Sequence, residues 1–234
     1  MLPGLWIATT IAAAGCQSLR NALQRGLTVT LGTVGATHVR FLFGLPFALI
    51  FCGVILAATG AVPHLGPAFW PAAAAGGVGQ ILATAAMLHA MRDRSFLVTI
   101  AYTKSEPVQV ALFGLIFLGE VPTALLLAGI LVATAGVVVM SWPTGLSAGL
   151  VAGHERPSRW DHLRPALLGI ASGAFFGLSA VAFKLAIRAS GTGHLLADAS
   201  VALAASLAIQ TAILTVWLLA RDRGVLIAIV RAWR

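Results

Sequence analysis

Seven stretches of about twenty or more residues run along this chain with almost no charge inside them, and no other feature limits its fold as tightly. A helix rises about 1.5 Å per residue and a bilayer's hydrocarbon core is about 30 Å thick, so each stretch can cross a membrane as a helix. They cover residues 3–23, 34–58, 69–90, 96–118, 123–142, 165–187 and 196–220. Membrane-spanning strands are excluded, because they would be about half as long and would alternate apolar and polar residues. Of the 234 residues 59% are apolar and 9% charged, too little polar surface to cover a water-soluble globule of this size. The fold class that follows is all-α: a polytopic membrane helix bundle of about seven spans.

A formal net charge of +8 would point to nucleic acid in a soluble protein, but here most cations fall in short connections between spans. Eleven of the 15 Lys and Arg residues occupy alternate connections: Arg20 and Arg25; Arg92 and Arg94; Arg156, Arg159 and Arg164; Arg221, Arg223, Arg231 and Arg234. The positive-inside rule makes these cytoplasmic, with the amino terminus outside and the carboxyl terminus inside. We expect a multi-pass protein of a cell inner membrane. Cys16 and Cys52 both lie within spans and imply packing rather than a disulfide framework. Ala13-Ala14-Gly15-Cys16 has the outline of a lipoprotein cleavage box, yet no Lys or Arg precedes the apolar run and the run continues past Cys16, so the first span is expected to stay uncleaved.

The longest connection, 143–164, is rich in Gly, Pro, Ser and charge and divides the chain into units 1–142 and 165–234. With an offset of 164, Ala13 matches Gly177, Arg20 matches Lys184 and Ala22 matches Ala186. Units related across an odd number of spans enter the membrane from opposite sides, as inverted transporter repeats do. The expectation is a five-helix repeat followed by the first two helices of an inverted second one, with about three helices to come. Small residues four apart, at Gly169, Gly173 and Gly177, at Gly129 and Ala133, and at Ala72 and Gly76, predict close helix contacts.

An ionisable group facing hydrocarbon costs a few kcal/mol, so position within a span decides its reading. Arg20, Lys184 and Arg188 lie within about one turn of span ends, where snorkelling to the interface is favoured over a solute contact. Lys104 and Glu106 have no such exit. In the fourth span Thr99, Tyr102, Glu106 and Gln109 recur at helical spacing and form one polar stripe. Lys104 lies about 200° around from Glu106, which in regular geometry gives each its own partner. Pro107 lacks an amide hydrogen and should kink this helix, freeing the Thr103 carbonyl. Pro46 should break the second span in the same way, next to Arg40, which lies about two turns inside it. Gln80 and Thr84 share one face of the third span, and Gln17 and Asn21 share one of the first; such amides hold a solute or bridge helices. The candidate pathway residues are Lys104, Glu106, Tyr102, Arg40, Gln80, Thr84 and Gln17. The alternative is that Lys104 and Glu106 merely pair with other helices.

No HExxH, Asp-rich diphosphate motif, GxSxG or Walker loop occurs, and no segment outside the spans could hold a catalytic domain, so an enzyme is disfavoured and neither metal nor cofactor is expected. The loops offer no basic-aromatic surface for nucleic acid.

From Ala90 through Met140 the motifs run in a fixed order: an Ala near a span's end, Glu106-Pro107 in the next span, Leu118-Gly119-Glu120, then Gly129 and Gly136. This order resembles the drug/metabolite transporter superfamily, EamA type, and the stretch from Arg40-Phe41 to Pro46 looks like that family's second span. The resemblance covers about the first 142 residues well and the rest loosely. It implies two inverted five-helix repeats around a central cavity with alternating access, and it marks Glu120 as a family-motif residue. The expected function is a secondary transporter or exporter of small polar metabolites or drugs, with Glu106 as the candidate carrier of a coupling proton. Expected partners are the lipid bilayer, a small-molecule substrate, a proton or counter-substrate, and a second copy of the chain as a dimer. The rivals are a seven-helix receptor with a chromophore on Lys184 and a non-transporting membrane fragment.

Overall fold

The computed structural model describes residues 5–93, 96–141 and 159–232, which are helical almost throughout and contain no strand. In chain order the helices are α1 (Leu5–Thr59), α2 (Phe69–Asp93), α3 (Phe96–Thr103), α4 (Glu106–Leu118), α5 (Ala124–Ser141), α6 (Arg159–Ser190), α7 (Leu195–Arg221) and α8 (Arg223–Ala232). Four runs are long and apolar enough to cross a membrane: Ile7–Thr59, Phe69–Met91, Ala166–Ser190 and Leu195–Arg221. Pro3, Arg94, Trp142, Arg156 and Arg234 lie outside the described residues, as does the expected connection 143–164 up to residue 158. From Arg159 that connection is already helical, because α6 starts six residues before the expected span.

α1 is two helices, not one. At Gly32 φ is 67° and ψ is 178°, a backbone state that a side chain with a Cβ resists. The arms 5–31 and 33–59 fold back on each other there: Gln24 Nε2 donates to the Ala36 carbonyl at 3.0 Å, and Cys16, Arg20, Val39 and Arg40 line one crevice between them. The expected loop after residue 23 is therefore a turn at a single glycine. Arg25 is helical, and Arg20 sits about three turns short of the turn, not at a span end. Pro46 also departs from expectation: the second arm keeps helical dihedrals through it, so the lost hydrogen bond is absorbed without a break.

The distribution of polarity is inside out. Asn21, Gln24, Thr28, Thr37, His38, Thr84, Ser172, Ser179, Ser206 and Gln210 are buried, while Leu19, Leu23, Phe47, Ile50, Val132 and Val216 are exposed. In water this arrangement would be costly; in hydrocarbon the exposed face costs nothing, and most of the buried polar side chains bond a backbone carbonyl or another side chain. Helices join through those groups. Ser172 Oγ donates to the Ala83 carbonyl and Ser179 Oγ to the Gly76 carbonyl, each at 2.8 Å, which ties α6 to α2. Gln210 Nε2 on α7 reaches the Gly77 carbonyl at 3.2 Å and Gln80 Oε1 at 2.7 Å. Small residues let these backbones approach, since Gly76 faces the Phe183 ring and Gly79 faces Ser179. Gly129 has open space around it, so the expected contact there is not made among the described residues.

The turn from α6 to α7 is closed by Asp198, which accepts hydrogen bonds from Ser190 Oγ at 2.8 Å and from the Thr192 amide at 3.0 Å. A buried apolar cluster of Cys52, Phe69, Ala73, Ala186 and Val201 packs beneath it. A second, built on Ala36, Met87, Leu88 and Met91, lies where α1 meets α2.

Candidate functional site

The expected fourth span is broken in two. α3 ends at Thr103 and α4 begins at Glu106, with Lys104 and Ser105 in a turn between them. The cause is local. Pro107 can donate no amide hydrogen, and the Ser105 amide bonds the Tyr102 carbonyl at 3.2 Å, one residue tighter than α-helical spacing. Pro107 then occupies the first turn of α4, where its missing donor is harmless. Ser105 Oγ also donates to the Tyr102 carbonyl at 2.8 Å and accepts from Gln109 Nε2 at 3.1 Å, which fixes the turn.

This break changes what the residues around it can reach. A regular helix would hold Lys104 and Glu106 on nearly opposite faces; here both line one cavity of about 170 Å³. Gln17 and Arg20 from the first arm of α1, Arg40 from the second and Gln80 from α2 line the same cavity. Thr103 of α3, with Phe176 and Ser179 of α6, completes its wall. Glu106 additionally lines a second cavity of about 490 Å³ between α4, α5 and α6, at whose other side stand Glu120 and Lys184. Glu106 thus sits where two cavities meet.

Arg40 is positioned by three neighbours. Its Nη1 donates to Thr84 Oγ1 at 2.9 Å, and its guanidinium carbon lies 5.4 Å from the Phe41 ring centre and 6.0 Å from that of Phe176. Stacking between aromatic faces holds the group in place while its edge remains available for hydrogen bonds. Thr84 is fully buried and acts through Arg40 instead of lining the cavity. Arg20 Nη2 donates to Asn21 Oδ1 at 3.3 Å.

Tyr102 is placed elsewhere than the stripe predicted. Its Cβ lies against Gly169 of α6, and Gln109 Nε2 donates to the Ile170 carbonyl at 3.3 Å, so Tyr102 and Gln109 face α6 while Glu106 faces the cavities. The stripe divides because the helix does not continue through residues 104 and 105. The glycines of α6 follow this surface: Gly169 meets Tyr102, Gly173 meets the break and Gly177 meets Val110.

Glu120 lies in the connection between α4 and α5 and holds two cations of α6. Its Oε2 is 2.6 Å from Lys184 Nζ and its Oε1 is 2.6 Å from Arg188 Nη2. These bonds, Lys184 foremost, hold its carboxyl below the usual carboxylate range. Lys184 and Arg188 are therefore paired to a carboxylate of the chain and do not merely extend to the interface.

Arg20 and Asn21 were not among the expected pathway residues, yet both line the cavity. The signal was present: Gln17, Asn21, Gln24 and Thr28 recur at helical spacing past residue 23, marking an inward polar face on a helix that continues. No model of a protein family matches this chain, nor does any curated protein or solved structure.

Proposed function

We propose that this chain is a multi-pass inner-membrane transporter or exporter of small polar metabolites, of the EamA type, working by alternating access. The two arms of α1, α2, the broken pair α3 and α4, α5, α6 and α7 are read as seven crossings. The observation that carries the reading is the interrupted helix at Lys104 to Glu106, whose two charged residues face a polar cavity walled by α1, α2 and α6. Charged groups within a bundle are costly unless paired or solvated in a cavity, and discontinuous helices are where transporters place their ligands. Glu106, shared by both cavities, is the group suited to carry a coupling proton. At about 170 Å³ the cavity is smaller than the roughly 300–1,000 Å³ of drug-sized pockets, which favours metabolites over drugs. A chromophore-bearing receptor fits less well, because Lys184 is paired to Glu120 and its side chain is 48% exposed, a poor setting for a buried Schiff base.

The test is uptake by proteoliposomes holding the whole chain, with radiolabelled succinate, inorganic phosphate, putrescine and glycerol as probes. Uptake of at least one probe above that of empty vesicles, lost in Arg40→Gln, is expected. Uptake of none would contradict the proposal.

A further inference from the structure

The charge presented to the central cavity is mostly positive. Three cations line it, Arg20, Arg40 and Lys104, against one carboxylate, Glu106. The ion pairs of Glu120 with Lys184 and Arg188 involve none of these three, and Glu106 lies near enough to Lys104 for their charges to interact, which leaves Arg20 and Arg40 with no described carboxylate at ion-pair distance. The amides add to the same bias. Gln80 Oε1 already accepts from Gln210, and Asn21 Oδ1 already accepts from Arg20, so both side chains have their NH₂ groups left to offer. Arg40 uses one of its five donors on Thr84. An excess of positive charge within a bundle favours an added counter-charge, most of all at Arg40, the least exposed of the three cations.

We infer that the cavity binds a small anion, a carboxylate or phosphate, among Arg20, Arg40 and Lys104; this rests on the pathway reading above for its setting. Two sources can supply that group. Arg20 and Arg40 also border the crevice between the arms of α1, about 300 Å³, whose other walls include Leu19, Leu23, Leu27 and Val39. A dissolved acid would fill the cavity alone; an anionic lipid would place its headgroup there and a chain in the apolar crevice.

Both sources are tested on the purified whole chain in uncharged detergent. Calorimetric titration with succinate and inorganic phosphate is compared with neutral succinamide and cationic putrescine, and a second arm compares nanodiscs of phosphatidylglycerol and phosphatidylcholine for lipid retained on the protein. Saturable binding of either acid, or selective retention of phosphatidylglycerol, weakened at least tenfold in Arg40→Gln and in Lys104→Gln but unchanged in Arg25→Gln, is expected. Binding of neither acid nor anionic lipid, equal binding of succinamide or putrescine, or binding unchanged in both variants would overturn the assignment. Anion binding without uptake by proteoliposomes keeps the site and removes the transport reading. Uptake of putrescine or glycerol without anion binding does the reverse.

Discussion

Gly173 of α6 lies directly against Ser105 in the break between α3 and α4: a Cβ at position 173 would stand 3.0 Å from Ser105 Oγ and 3.0 Å from the Thr103 carbonyl oxygen. The interrupted backbone is thus closed over by a residue without a side chain. Gly173→Ala should destabilise the protein by about 1–3 kcal/mol, as overpacking does, and Gly173→Val by more. Thermal unfolding in detergent measures this. An unchanged midpoint in both variants would mean that the break and α6 are not in contact.

The hairpin at Gly32 makes a separate prediction. Its positive φ strains any L-residue, so Gly32→Ala should cost about 1–2 kcal/mol although no neighbouring atom lies within 4 Å of the added Cβ. Pro46→Ala, by contrast, should leave the unfolding midpoint unchanged or raised, because the helix already runs through that position without a break. Comparing the two midpoints separates conformational strain from packing.

Glu120 gives the connection between α4 and α5 a pH dependence of known sign. Its folded-state pKa is depressed, so the contact with Lys184 and Arg188 stabilises above the ordinary carboxylate pKa of 4.5 and is lost as pH falls through the lower folded value. Hydrogen-exchange protection of the Gly119 and Glu120 amides, which bond the Leu115 and Gly114 carbonyls, should decline over that acid range and be low at every pH in Glu120→Gln. Because the pair is partly exposed, the effect should shrink in high salt.

Ser172 and Ser179 each contribute one interhelical hydrogen bond between α6 and α2. Bonds of this kind in membrane bundles average about 0.6 kcal/mol, so Ser172→Ala should be mild. Gln210→Leu should cost more, since it leaves the Gly77 carbonyl and Gln80 Oε1 without their shared donor. Unfolding midpoints of the two variants rank the effects.

Much of this architecture was legible in the sequence, and the exceptions have physical causes. The break at Pro107 was readable because a missing amide sits beside two mid-span charges. The identical argument failed at Pro46, where the rest of the arm holds the helix together and only one hydrogen bond is lost. Composition placed the end of the first helix too early, since Arg25 looks like a loop residue until the polar face from Gln17 to Thr28 is followed through it. Tyr102 was assigned to the cavity by a periodicity that holds only for an unbroken helix. The pairing of Lys184 and Arg188 with Glu120 spans more than sixty residues of chain, and no local pattern announces it.

The central claim is that the cavity at the broken helix is a pathway open in turn to each side of the membrane. Replacing Cys16 and Cys52 with Ser and introducing Gln17→Cys puts a single thiol on the cavity wall, and Val132→Cys puts one on the exposed apolar surface. Labelling with a membrane-impermeant thiol reagent is measured in right-side-out and in inside-out vesicles. The account predicts that Gln17→Cys reacts in both preparations and Val132→Cys in neither; reaction of Gln17→Cys in only one preparation, or in none, would contradict it.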